Sequence, residues 1–184
     1  MAPEIPAADG SSPQRQRFDG QPPMIIDPTK TYTAEMLTNK GAMTIALDAI
    51  GAPVTVNNFV FLARWHYYDG IIFHRIIPGF MCQGGDPEGK GYGVPGYKFA
   101  DELPKPGRYE IGSVAMANAG PDTNGSQFFI VSGPDGTQLP PAYSLFGKVI
   151  KGADVIKAIE ATGSRSGQPS ETVVIESVTI SESD

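Results

Sequence analysis

From Thr31 onward, short apolar runs alternate with polar positions and are separated by turn-forming residues. Thr31 to Leu37 and Ala42 to Leu47 flank Asn39-Lys40-Gly41, the pattern of a β-hairpin. The period then changes. Val56, Phe59, Val60 and Ala63 recur at helical spacing within Pro53 to His66, so an amphipathic helix is expected there, ending before Tyr67-Tyr68-Asp69-Gly70. Strands are expected near 71–77, 80–83, 112–117, 127–132 and 144–149. Ala153 to Ala161 reads as a second helix with Gly163 just past its end, and Thr172 to Ile180 alternates as a last strand. Strands dominate this set of eight strands and two helices, and closing such a sheet on itself is one way to remove its edges.

Residues 1–28 break the pattern. Pro3, Pro6, Pro13, Pro22, Pro23 and Pro28 are interleaved with small and polar residues, and Phe18 is the only aromatic. A segment so poor in apolar surface is expected not to offset its own ordering entropy. It is read as a flexible Pro-rich leader, either a frayed tail or a linker to a longer parent, with residues 29–184 forming one domain.

Composition narrows the function classes. A net charge of −6 disfavours nucleic acid and anionic membrane surfaces as partners. Cys82 is the single cysteine, which excludes an intramolecular disulfide; between Met81 and Gln83 it reads as a small buried hydrophobe rather than a reactive thiol. His66 and His74 are the only histidines, too few for a patterned zinc site, and neither a metal nor a cofactor is expected. No apolar run is long enough to span a bilayer, so this chain is not expected to insert into a membrane. The cytoplasm is the default expectation for its compartment; the alternative is an extracytoplasmic domain of a membrane-tethered parent joined through the leader. A monomer is expected.

Two segments carry candidate chemistry. The first, Phe73-His74-Arg75-Ile76-Ile77-Pro78-Gly79-Phe80-Met81-Cys82-Gln83-Gly84-Gly85-Asp86, puts an arginine and a glutamine on apolar strands joined by a Pro-Gly turn. The second runs from Met116-Ala117-Asn118-Ala119-Gly120 to Asn124-Gly125-Ser126-Gln127-Phe128-Phe129-Ile130. Strand parity places Met81 with Gln83 opposite Cys82, and Gln127 with Phe129 and Val131 opposite Phe128 and Ile130. One arrangement consistent with this sets Arg75, Gln83 and Gln127 around an apolar surface of Met81 and Phe129, the make-up of a ligand pocket. On these residues alone a structural reading is the commoner one: Arg75 paired with a carboxylate such as Asp86, and both glutamines satisfying backbone groups.

Both segments, in this order, closely resemble the two signature segments of the cyclophilins, the cyclosporin-binding peptidyl-prolyl cis-trans isomerases. The resemblance covers roughly residues 31–180 and implies a closed eight-stranded antiparallel β-barrel capped by two helices. It implies acceleration of rotation about X-Pro bonds in peptides and unfolded proteins, in aid of protein folding. Position by position it assigns Arg75 as the catalytic arginine, and Gln83 as the glutamine that supports it and meets substrate. Phe80, Met81, Phe129 and Leu139 match the cup for the proline ring. Asn118, between Ala117 and Ala119, matches the residue whose backbone binds the substrate chain, and Gln127 a groove-lining glutamine. In the loop 138–143 the family's tryptophan and histidine align with Gln138 and Tyr143, so cyclosporin affinity is expected to be weakened. A non-catalytic module that binds Pro-containing segments in the same groove is the alternative.

Overall fold

The computed structural model describes residues 4–184. The expected hairpin forms from β1 (Thr31–Thr38) and β2 (Gly41–Leu47), with Thr38 opposite Gly41. The Thr38 hydroxyl closes the turn, accepting from the Lys40 N–H at 3.0 Å and donating to the Gly41 carbonyl at 2.8 Å. Then come α1 (Pro53–Arg64), β3 (Arg75–Ile77), β4 (Met81–Gly84), β5 (Ser113–Met116), β6 (Phe128–Val131), β7 (Leu145–Lys151), α2 (Ala153–Glu160) and β8 (Ile175–Ser183). All pairings are antiparallel, in the order β3-β4-β6-β5-β7-β2-β1-β8. A 3-10 turn, Pro134–Gln138, was not anticipated.

The strand expected over 71–77 is split, and the split closes the barrel. Residues 71–73 bond to the approach of β8: Phe73 N–H donates to Val173 O (2.9 Å), Ile175 N–H to Ile71 O (2.8 Å), and Ile72 bridges Val174. After His74 the chain changes partner, and Arg75–Ile77 pair with β4. The last strand accordingly begins at Ile175 and runs to Ser183, later than expected.

Inside the barrel Phe59, Tyr68, Phe73, Phe128 and Phe146 are fully buried. Helix α1 packs on β7 and β8, and α2 on β2, β3 and β4. The N-terminus of α1 has no cap from its own flank. Instead, the Glu102 carboxylate accepts from the backbone N–H groups of Val54 (3.2 Å) and Thr55 (2.6 Å), placing negative charge where the helix dipole favours it. No helix among the described residues is long and apolar enough to cross a membrane.

The described residues of the leader lie packed against the folded body. Phe18 and Ile26 are buried, and Phe18 stands 5.1 Å from the ring of Phe61 and 6.4–6.5 Å from those of Trp65, Tyr67 and Tyr97. Arg15 N–H donates to Trp65 O (2.9 Å), and the Asn57 side chain binds the backbone of Pro23, Ile25 and Ile26. The reason lies in α1, whose residues Thr55 to Arg64 are all buried. A helix buried on every side needs cover beyond the barrel, and the leader supplies part of it. Few apolar residues suffice because they enter a ready-made aromatic site.

Candidate active site

Register sets the site. Across the Pro78-Gly79 turn Arg75 faces Gln83 and Ile77 faces Met81; across the next pairing Gln83 faces Phe129 and Met81 faces Val131. Arg75, Gln83 and Phe129 therefore stand level on three successive strands. Their face is the outside of the barrel, since Cys82, Phe128 and Ile130 belong to the interior core. A second, smaller apolar cluster covers that outer face: Met81, Tyr109, Ala115, Phe129 and Val131, with Phe80, Leu139 and Tyr143 packed against it.

Within this cluster lies a hollow of about 170 Å³ lined by Arg75, Phe80, Met81, Gln83, Ala117, Asn118, Phe129, Leu139 and Tyr143. That falls below the volume of a typical drug-sized pocket and suits one small ring. Phe129 and Tyr143 meet edge-to-face at 5.4 Å, and the Tyr109 hydroxyl holds the Tyr143 backbone by donating to its carbonyl at 2.6 Å. Gln127 and Ala119 line an adjoining hollow of about 300 Å³, which shares Gln83, Ala117 and Asn118 with the first. Gln138 is exposed, its amide turned to the Thr137 hydroxyl (3.2 Å), and it lines neither hollow.

A directed chain of hydrogen bonds runs across the polar rim. Arg75 donates to Gln83 Oε1 (3.3 Å), Gln83 Nε2 to Gln127 Oε1 (3.1 Å), and Gln127 Nε2 to the carbonyls of Gly91 (2.9 Å) and Gly93 (3.3 Å). A guanidinium can only donate and a peptide carbonyl can only accept, so the two ends dictate the orientation of both amides. Glutamine fits each position because it accepts on one side and donates on the other. The remaining guanidinium N–H groups have no protein partner among the described residues, and Arg75 lines the hollow.

Asp86 is not the partner of Arg75. Its buried carboxylate turns into its own loop and accepts from the N–H groups of Glu88 (2.8 Å), Lys90 (2.9 Å) and Gly91 (2.5 Å). Burial pushes its pKa up, but these bonds, with one from Gly93, outweigh it and hold the carboxyl below its ordinary value. The Asn118 side chain is also committed: its amide donates to Ala142 O (2.9 Å) and its oxygen accepts from Gly120 N–H (3.2 Å). Its backbone N–H and C=O have no partner among the described residues, just beyond the last rung of β5, where Ala117 N–H donates to Gln127 O (3.0 Å). An extended peptide can add there as a strand does.

Tyr109 and the 86–98 loop are the residues the sequence reading missed. The signal for Tyr109 was weak, a lone aromatic after Pro104-Lys105-Pro106-Gly107-Arg108. The loop announced itself only as a glycine-rich stretch around one aspartate.

A family model described as "Cyclophilin type peptidyl-prolyl cis-trans isomerase/CLD" matches residues 33–180. The chain belongs to this family. Among relatives of this cyclophilin, "Peptidyl-prolyl cis-trans isomerase A" of Mycobacterium tuberculosis is 46% identical over 173 residues, covering 84% of this chain and 94% of the relative. "Peptidyl-prolyl cis-trans isomerase B" of Streptomyces anulatus is 47% identical over 167 residues, covering 80% and 95%. A cyclophilin crystal structure from Cryptosporidium parvum matches with a TM-score of 0.76 at 33% identity, over 84% of this chain and 99% of that one. The same protein in the presence of the dipeptide Ala-Pro matches with 0.75 at 35% identity, over 83% and 99%.

Proposed function

We propose that this cyclophilin catalyses rotation about X-Pro peptide bonds, with Arg75 as its cationic donor and the Phe129 cup as its ring holder. The observation that carries the assignment of roles is Arg75 itself. It is paired with no carboxylate among the described residues, anchored by one bond to Gln83, and set in the lining of an apolar hollow of ring size.

The X-Pro amide resists twisting by about 18–20 kcal/mol because its nitrogen lone pair is delocalised, and uncatalysed exchange takes tens of seconds or more. At the twisted transition state the nitrogen becomes pyramidal and regains that lone pair. A fixed donor then stabilises it more than the planar ground state, which is differential binding. No covalent bond changes. Phe80, Met81, Phe129, Leu139 and Tyr143 grip the proline ring, the Asn118 backbone holds the chain beside it, and the other side of the amide turns. A charge-assisted hydrogen bond nets about 1.5–3 kcal/mol, whereas a million-fold acceleration needs about 8 kcal/mol. The cup and the ledge at Asn118 must therefore contribute more than the arginine.

X-Pro segments of unfolded proteins are the partners this groove suits, since recognition goes through one ring and the backbone. Cyclosporin binding with reduced affinity fits the same surface, because Gln138 offers no flat apolar wall beside Leu139.

The test is a protease-coupled isomerisation assay. Arg75→Ala lowers kcat/KM by about 10²–10³-fold, and Arg75→Lys loses much of it because a point charge does not reproduce the fork. Near-wild-type turnover by a folded Arg75→Ala protein would remove Arg75 from the mechanism, and absence of turnover in the wild-type chain would leave a binding module for Pro-containing segments.

A further inference from the structure

We propose that the leader is a positioning strap for Arg75, acting through the 86–98 loop and the two glutamines. The inference rests on the isomerase roles above.

The relay from Arg75 ends on two backbone carbonyls, Gly91 and Gly93, and its direction depends on them. Those carbonyls belong to a loop with Gly85, Gly89, Gly91, Gly93 and Gly96 within twelve residues, a composition that leaves the backbone many conformations. Asp86 organises the loop from inside, up to Gly93. From outside, the leader fixes the segment that follows. Phe18 N–H donates to Pro95 O (2.8 Å), and the Gln21 amide donates to Lys98 O (2.7 Å). The Phe18 ring packs edge-on against Tyr97 at 6.4 Å. The fit is close: a Cβ on Gly96, whose φ is +110°, would stand 2.0 Å from the Phe18 carbonyl oxygen. Beside this contact, Gln16 and Arg17 line a cleft together with Tyr92, Gly93 and Val94.

The element being controlled has two discrete states. With Gly91 and Gly93 in place, the Gln127 amide must turn its NH₂ to them and its oxygen to Gln83. If the loop shifts, that amide is free to flip and present NH₂ to Gln83. Gln83 must then turn as well, setting its own NH₂ against the guanidinium, donor against donor. Arg75 loses its anchor without any change in the cup. Phe18 is thus a positioning residue that touches no substrate.

The experiment compares the full chain with its Phe18→Ala and Phe18→Leu variants at a temperature where all are folded. Val178→Ala, a core truncation in β8, serves as a control for lost stability alone. Phe18→Ala is expected to lower kcat about 2- to 30-fold with KM little changed, Phe18→Leu to recover most of it, and Val178→Ala to leave it unchanged. In an Arg75→Ala background Phe18→Ala is expected to cause no further loss. Side-chain amide NMR signals of Gln83 and Gln127 are expected to shift in Phe18→Ala and not in Val178→Ala. Unchanged kcat together with unchanged amide signals overturns the strap, and so does an equal loss in the Arg75→Ala background. A wild-type chain inactive on X-Pro peptides refutes the isomerase roles instead, and the amide signals still decide whether the leader positions the relay.

Discussion

Replacing Phe18 with alanine also tests whether the leader belongs thermodynamically to the folded body. The ring is 7% exposed and has four aromatic neighbours, with the Arg15 guanidinium 4.8 Å over its face. Truncating a phenylalanine buried to this extent costs about 3–5 kcal/mol. The leader can respond by undocking as a unit, which limits the loss to its own docking free energy, so the lower end applies, about 3 kcal/mol. A chain of this size loses roughly 2–4 °C of melting temperature per kcal/mol, which makes the expected fall about 6–12 °C. Differential scanning calorimetry reads this directly. Limited trypsin digestion gives a second reading, because undocking opens the bonds after Arg15 and Arg17 to cleavage. A melting temperature within about 2 °C of wild type, with those bonds no more labile, would refute the reasoning.

Two further outcomes follow from titratable groups. Both ring nitrogens of His66 face acceptors, the Gly10 carbonyl (2.8 Å) and the Asp69 carboxylate (3.0 Å), so only the imidazolium satisfies both. The Gly10 bond chiefly, and then Asp69, raise its pKa against the opposing effect of burial. A raised folded pKa stabilises fully below the ordinary value of about 6.5 and is lost as pH climbs through the raised one. The melting advantage of wild type over His66→Gln should therefore be largest near pH 6 and shrink above neutrality; a constant difference across pH would discount the imidazolium. Burial pushes the Cys82 thiol up to about 12, so iodoacetamide at pH 8 should label it only after unfolding; rapid native labelling, read by mass spectrometry, would contradict its place in the core.

The elements with strong periodicity were legible: both helices, the first hairpin and the parity of Met81, Gln83, Phe129 and Val131. Two features were not, for different reasons. The break at His74 turns on which strand each half of 71–77 meets, and local pattern carries no information about partners. The leader's docking was obscured because composition counts apolar residues and not the site that receives them. A clue was present in α1, where Phe61 and Trp65 lie off the stripe of Val56, Phe59, Val60 and Ala63 and require cover from elsewhere. At the site, the pairing of Arg75 with Gln83 across a Pro-Gly turn was legible in the segment, whereas the fate of Asp86 was a matter of three-dimensional competition. Three neighbouring N–H groups lay closer to its carboxylate than any guanidinium did.

The bridge between Ile72 and Val174 bears on solubility in crowded, partly folded mixtures. A sheet with exposed rims would recruit sticky extended chains along either border and nucleate aggregates. Among the described residues that seam is joined over 70–73 and 173–175, and a short stretch of backbone stands open at Asn118. An isomerase with few open strand edges offers little to which extended chains can add and aggregate.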